Sequence, residues 1–482
     1  MNTPSTSREL TALVKLALPI FIAQVAFTSL GVVDTIMSGR VSADDLAAVG
    51  LGAGLFLPVF IFLSGIVLAI TPITARNIGE KKHSAVVFHA QQCLYLALPL
   101  GLLAVLLLWF SPLLLQRLDL SREVYDLAVG YLFWAALGLP GGVLFQAQRF
   151  FWEGLGITVP TLVMGVLAFG LNIPLNAIFI YGFGPIEAMG AAGCGVATAL
   201  VMWVLFFAAR FYMHFNPKTR LYLARKWNRP DWQQGILPLL TLGTPMALAM
   251  LFEIGLFSLI ILFLAAFGTS VIGAHQVTMS FTALVFMLPL SLAMAMTIRI
   301  GHAYGEQDLA LIRLRIRIGL TAALAMGSFL AVLVWVFRMP VINFYTDNAQ
   351  VVQIASTLFI FAAAYQIFDS IQVAVAGVLR GLHDTKITMW ITLFSYWGVA
   401  LGLGYWLAFA FPFAEPLGVY GFWIAIISGF IVAAILLSWR LKRRFAQVGA
   451  AFAKTHLGTS KNRHEPHKCK EPRNERRDIS RR

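Results

Sequence analysis

Residues 246–268 read MALAMLFEIGLFSLIILFLAAFG and carry one charge, Glu253. As a helix this run spans ~34 Å at 1.5 Å per residue, enough to cross about 30 Å of bilayer hydrocarbon. A carboxylate at that depth costs roughly 2.5–3.5 kcal/mol on insertion scales. The stretch therefore reads as a membrane span whose single acid has a use that offsets its cost.

The rest of the chain repeats the apolar pattern. Its 482 residues are 59% hydrophobic and 12% charged, against about 25% charged in soluble domains. Twelve stretches reach spanning length, at about 10–35, 48–75, 85–110, 124–149, 158–182, 188–214, 234–264, 271–299, 311–338, 351–379, 386–412 and 417–440. The fold class is an all-α polytopic membrane protein. The first residues, MNTPSTSRELTALVK, lack the layout of a cleaved signal, so the first span is expected to be retained.

A net charge of +14 would suggest nucleic acid in a soluble protein. Here its distribution decides otherwise. With both termini inside, all but Arg40, Arg117, Arg122 and Arg338 of the 36 Lys and Arg fall in cytoplasmic loops or helix ends. That bias is the positive-inside signal, and it excludes a nucleic-acid partner. Cys93, Cys194 and Cys469 are too few and scattered for a disulfide framework or a zinc site.

Internal repetition sets the domain organisation. Pro19 in LALPIF matches Pro245 in LGTPMA, and Ala47-Ala48 matches Gly273-Ala274, both 226 positions on. ARNIGE (75–80) matches GHAYGE (301–306) at the same offset, and EGLG (153–156) matches RGLH (380–383) at 227. Six spans per half give both halves one orientation, a parallel repeat of the kind found in carriers that rock two lobes about a central site. The expected units are a six-helix lobe at 1–213, a basic cytoplasmic linker at 214–232 and a second six-helix lobe at 233–445. A basic tail at 446–482 is expected to be disordered; its His464, His467 and Cys469 are read as solvated rather than metal-binding, and it could touch anionic lipid.

Three acids resist placement in loops: Asp34, Glu253 and Asp369. No Lys or Arg is expected deep enough to pair with them, and unpaired membrane carboxylates face cavities, bind cations or carry protons. They also break the repeat, since Glu253 falls opposite Phe27 and Asp34 opposite Ile260. Tyr365 and Asp369 are i,i+4 and share a helix face. So do Asn172 and Asn176, with Pro174 between them; with Asp34 their amide oxygens would form a hard oxygen site, to which Thr198 could add a hydroxyl. A buried carboxylate can take a sodium ion or a proton, and both stay open.

Several motifs together resemble the multidrug and toxic compound extrusion (MATE) exporters, and most closely their bacterial norfloxacin-exporter branch. They are VDTIMSGR with LAAVGLG, GLNIPLNAIFIYG, EIGLF, GAHQVT and GVLRGLHDTKITM, and the likeness covers about 10–445. The resemblance implies two six-helix lobes around a cleft in a bacterial inner membrane, exporting cationic amphipathic drugs in exchange for Na⁺ or H⁺. It implies a carrier without enzymatic chemistry or cofactor, acting as a monomer in contact with membrane lipid. The family's C-lobe cation site then falls on Glu253 and Asp369, where Na⁺ would bind, with Tyr365 beside them. Its N-lobe aspartate falls on Asp34, supported by Asn172, Asn176 and Thr198, and Pro19 matches a proline at which the first helix of some relatives bends. The alternatives are a lipid-linked saccharide flippase, an intramembrane aspartyl protease and a passive channel. A flippase calls for deep basic residues to hold phosphate, and the protease for paired YD and GxGD motifs; the chain has YD at Tyr125-Asp126 but no GxGD.

Overall fold

The computed structural model describes residues 5–223, 227–410 and 416–461, so His464, His467 and Cys469 lie outside the described residues. Twelve membrane-length elements follow in order: α1 (Thr6–Gly39), α2 (Ala43–Gly79), α3 (His83–Leu115), α4 (Arg122–Ala136 and Leu139–Gly154), α5 (Val159–Tyr181) and α6 (Ala191–Phe215), then α7 (Trp232–Phe267), α8 (Thr269–Gly305), α9 (Leu309–Tyr345), α10 (Ala349–Gly381), α11 (Thr385–Phe409) and α12 (Val419–Lys461). All twelve expected spans are present. α4 is bent by 45° between its two pieces. Pro140 lies just past the break, and a proline cannot donate to the carbonyl four residues back, which opens the helix there. α12 runs beyond the expected boundary at Phe445 to Lys461, so the start of the expected tail is helical.

Most spans are apolar on every side, so position in the bundle rather than amphipathicity orients them. α1 to α6 and α7 to α12 form two lobes, and the repeat motifs form the seam between them. Gly79 and Gly305, equivalent in the repeat, lie against one another. A Cβ on Gly79 would sit 2.9 Å from Gly305 Cα, and a Cβ on Gly305 would sit 2.9 Å from Gly79 Cα. Farther along the seam, a Cβ on Gly65 would sit 2.5 Å from Ala247 Cα. The ends of α2 and α8 where ARNIGE and GHAYGE meet also gather the Lys and Arg residues; we call this the basic end.

Polar contacts reinforce the seam there. His302 Nε2 lies 3.0 Å from Gly154 O, and His383 Nε2 lies 3.1 Å from Pro72 O, each bridging the lobes. Glu9 of α1 is buried and pairs with Arg299 of α8 and, at 3.2 Å, with Arg315 of α9. Away from this end the described seam reaches Thr28 Oγ1, which lies 3.7 Å from Met287 Sδ.

Removing one member of a buried ionic cluster leaves its partners uncompensated, at a cost of roughly 3 kcal/mol or more. Glu9→Gln is therefore expected to lower the melting temperature of the purified protein. An unchanged melting curve would show that the cluster contributes nothing to the closed seam.

Two bases, the buried Arg149 and the half-buried Arg380, depart from the sequence expectation that Lys and Arg stay near the ends. Arg149 is enclosed, donating from Nε to Glu153 Oε1 at 2.9 Å and from Nη2 to Gln24 Oε1 at 2.8 Å, with Phe27 beneath its guanidinium. Glu153 is itself fully buried and takes a further hydrogen bond from Thr161. Arg380 occupies the position equivalent to Glu153 in the repeat, with the charge reversed. Helix length explains both: α4 and α10 continue past the expected span ends, so residues assigned to the interface sit inside packed turns.

Candidate cation site in the second lobe

α7, α10 and α11 bring the candidate C-lobe residues together. Glu253 is half-buried on α7 and makes no hydrogen bond or ion pair among the described residues. Asp369 of α10 is buried and lies within electrostatic reach of Glu253. Gln372, one turn on, donates from Nε2 to Asp369 Oδ1 at 3.0 Å and to the Tyr396 hydroxyl at 2.9 Å. Tyr396 comes from α11 and feels both carboxylates. It lies in a π-helical stretch, Phe394–Leu401, a widened turn of the kind frequent at functional sites. Trp397 in the same stretch donates to Phe252 O at 3.0 Å and so fixes α11 beside Glu253.

Tyr365 is buried near Asp369, as its i,i+4 spacing predicts. Its ring packs on Trp423 and Phe430, with centroids 6.1 and 5.3 Å away. Arg380 corrects the expectation that no base lies within reach of the acids. It stands within electrostatic reach of Glu253 without forming an ion pair, and its Nε has no hydrogen-bond partner among the described residues. Glu253 thus stands between the Asp369 carboxylate and the Arg380 guanidinium in electrostatic terms. The set offers carboxylate and phenol oxygens, ligands that suit hard cations.

Gln372 and Tyr396 escaped the sequence reading. Gln372 had a signal, lying three residues past Asp369 and seven past Tyr365 on the same face. Tyr396 had none, since the approach of α11 is a tertiary fact. Gln372→Leu removes both hydrogen bonds while keeping volume. A hydrogen bond to a charged group contributes about 1.5–3 kcal/mol, and this N–H donor competes with an arriving ion for the Asp369 carboxylate, so the half-saturating concentration of the driving ion is expected to fall roughly tenfold. Ion-titrated efflux measures this, and an unchanged midpoint would remove Gln372 from the site.

Asp34 forms a separate cluster in the first lobe. Asn172 and Asn176 donate to Asp34 Oδ1 at 3.0 and 2.6 Å, and Asn176 also donates to Asn172 Oδ1 at 3.2 Å. The amides present nitrogen to the carboxylate rather than the oxygens a cation would need. Asn176 Oδ1 is buried with no hydrogen-bond partner among the described residues. Cys194, with Ser38, touches this cluster and was not anticipated. Thr198 lies one turn past Cys194, half-buried and without a hydrogen bond among the described residues. Pro19 sits inside α1, which is one uninterrupted helix through it.

The MatE family model matches the chain twice, at residues 19–178 and 245–406. The chain belongs to this family. The two matches start 226 positions apart, at Pro19 and Pro245, the register of the internal repeat. The chain is 42% identical over 431 residues to the "Probable multidrug resistance protein NorM" of Shewanella oneidensis, covering 89% of this chain and 94% of that protein. It is 38% identical over 437 residues to the "Multidrug resistance protein NorM" of Vibrio cholerae, covering 90% and 95%. Among solved structures it is similar to a MATE in complex with MaL6, with TM-score 0.83 and 23% identity over 92% of this chain and 97% of that one. It is also similar to the eukaryotic MATE transporter AtDTX14, with TM-score 0.82 and 18% identity over 93% and 99%. The structural likeness establishes the two-lobed MATE fold of a multi-pass membrane protein.

Proposed function

We propose that this MATE-family protein is a multidrug efflux transporter that exports organic cations in exchange for sodium ions or protons by alternating access. The observation that carries the reading is Glu253: a carboxylate inside a membrane helix, half-buried, unpaired, and within reach of Asp369. Such a group is costly unless an ion or a charged substrate occupies it in turn. Cationic substrate and coupling ion would then exclude one another at the acids. Ion entry releases drug on one side, and ion exit resets the carrier on the other.

The basic end faces the cytoplasm in this reading, with both termini inside and the chain in a bacterial inner membrane. The tight seam at that end fits an arrangement closed inward. No step alters the substrate covalently, so the protein acts as a carrier rather than an enzyme. Asp34 is a second protonation site, or a cation site once its two amides turn their oxygens toward it, and Pro19 a point where α1 can bend. Arg380 does not turn the reading toward a phosphate-bearing lipid substrate, because Glu253 faces its charge.

The test is reconstitution in proteoliposomes with a fluorescent organic cation under an imposed sodium gradient or, separately, an imposed proton gradient. Transport driven by either gradient supports antiport, and a response to one alone identifies the ion. Equilibration of the dye without accumulation under both gradients would reduce the protein to a passive pore.

A further inference from the structure

A crevice of about 670 Å³ opens at the basic end, between the first lobe and the starts of α7 and α11. Ligand pockets fall at roughly 300–1,000 Å³, and the C-lobe cation site does not touch this one. The internal repeat shows why it is open. Adding 226 to its lining residues Ile73 and His89 gives Arg299 and Arg315, and adding 226 to Glu9 gives Gly235. On the far side of the seam, then, a carboxylate from α1 locks between two arginines of the other lobe. On the near side α7 supplies no acid: Gly235 packs against Gln92, whose Cγ leaves no room for a Cβ there, and the cavity remains beside it.

The charges around it are not balanced from within. Arg76 and Lys82 share one carboxylate, Glu80, each at 2.7 Å. Asp384 is taken by Arg440 at 2.7 Å. Lys386 has no ion-pair partner among the described residues. Two positive charges are therefore left over at the crevice, one from each lobe. With Asp384 held by Arg440, the first turn of α11 also has no side-chain cap, which adds partial positive charge.

The crevice lies at the level of the membrane–water interface. Trp232 at the start of α7 and Trp390 on α11 are both more than half exposed, as in the aromatic belts that mark headgroup depth. Below the basic rim the lining turns apolar, with Ile73, Leu237 and Leu242. Charge above and hydrocarbon below match an amphipathic anion.

We propose that this crevice binds the phosphate headgroup of an anionic phospholipid, which supplies the negative charge between the lobes that Glu9 supplies on the opposite side of the seam. The headgroup bridges Arg76 and Lys82 of the first lobe to Lys386 of the second. It therefore binds the conformation closed at the basic end in preference to one in which these lobes separate, and anionic lipid stabilises that conformation. The site stands apart from the drug and coupling ion and does not rest on their assignment.

Native mass spectrometry of the detergent-purified protein, titrated with phosphatidylglycerol or phosphatidylcholine, tests this. Wild type is expected to hold phosphatidylglycerol in preference to phosphatidylcholine. The double substitution Lys82→Gln with Lys386→Gln weakens that binding roughly thirtyfold, taking each lysine near an anionic lipid at about 1 kcal/mol. Lys218→Gln, on an exposed turn elsewhere, leaves it unchanged, and all variants keep the wild-type melting temperature. Equal retention of both lipids, or undiminished phosphatidylglycerol binding in the double variant, would overturn the proposal. Displacement of phosphatidylglycerol by millimolar inorganic phosphate would assign the crevice to a soluble anion and overturn the lipid as its occupant.

Discussion

Glu253→Gln is expected to abolish gradient-driven export while leaving the protein folded, and Asp369→Asn to do nearly the same. Coupling free energies between sites usually run at about 1–3 kcal/mol, up to roughly 150-fold, so transport should fall by about two orders of magnitude. Stability should move the other way for Glu253. Its carboxylate has no hydrogen bond or ion pair among the described residues, so neutralising it removes a desolvation cost that outweighs the loss of its attraction to Arg380. A melting temperature held or raised in ion-free buffer, alongside lost efflux, is the signature of a working acid. Lost efflux with a large drop in melting temperature would mark Glu253 as structural.

The second large effect is expected at Gly79. Its place against Gly305 leaves no room for a side chain, and the clash is with backbone rather than a movable group. Gly79→Leu should therefore hold the lobes apart at the basic end. Overpacking of this kind costs about 1–3 kcal/mol, enough to move a two-state equilibrium by one to two orders of magnitude. The expected result is efflux reduced at least tenfold, with spin-label distances across the seam shifted to longer values. Gly305→Leu should behave alike, because the contact is reciprocal. Wild-type distances and transport in both would show that the seam does not close as described.

Much of this architecture is legible in the chain because a bilayer punishes ambiguity. Twelve spans follow from apolar length alone, and the offset of 226 that pairs Pro19 with Pro245 also predicts that Gly79 and Gly305 occupy equivalent places. That the two glycines touch is not in the sequence, since equivalence does not specify an interface. Tyr365 and Asp369 were legible for the same reason that Gln372 should have been, namely helical spacing. Tyr396 was hidden behind a tertiary approach through a π-helical turn. Arg380 and Arg149 were misplaced because each was assigned to the nearest interface, whereas α10 and α4 carry them inside. Glu9 carries no signal of its own in the sequence, because its partners Arg299 and Arg315 come from α8 and α9. In each case local pattern gave the helix and the face, while the partner came from another part of the chain.

The central claim is that Glu253 and Asp369 form one site where coupling ion and cationic drug exclude each other. The most direct measurement is the affinity of the purified protein for a fluorescent organic cation, titrated across sodium concentration and, separately, across pH. The account predicts that apparent affinity falls as one of these ions rises, and that the dependence vanishes in the Glu253→Gln, Asp369→Asn double variant. Drug binding indifferent to both ions in the wild type, or competition that persists in the double variant, would contradict it.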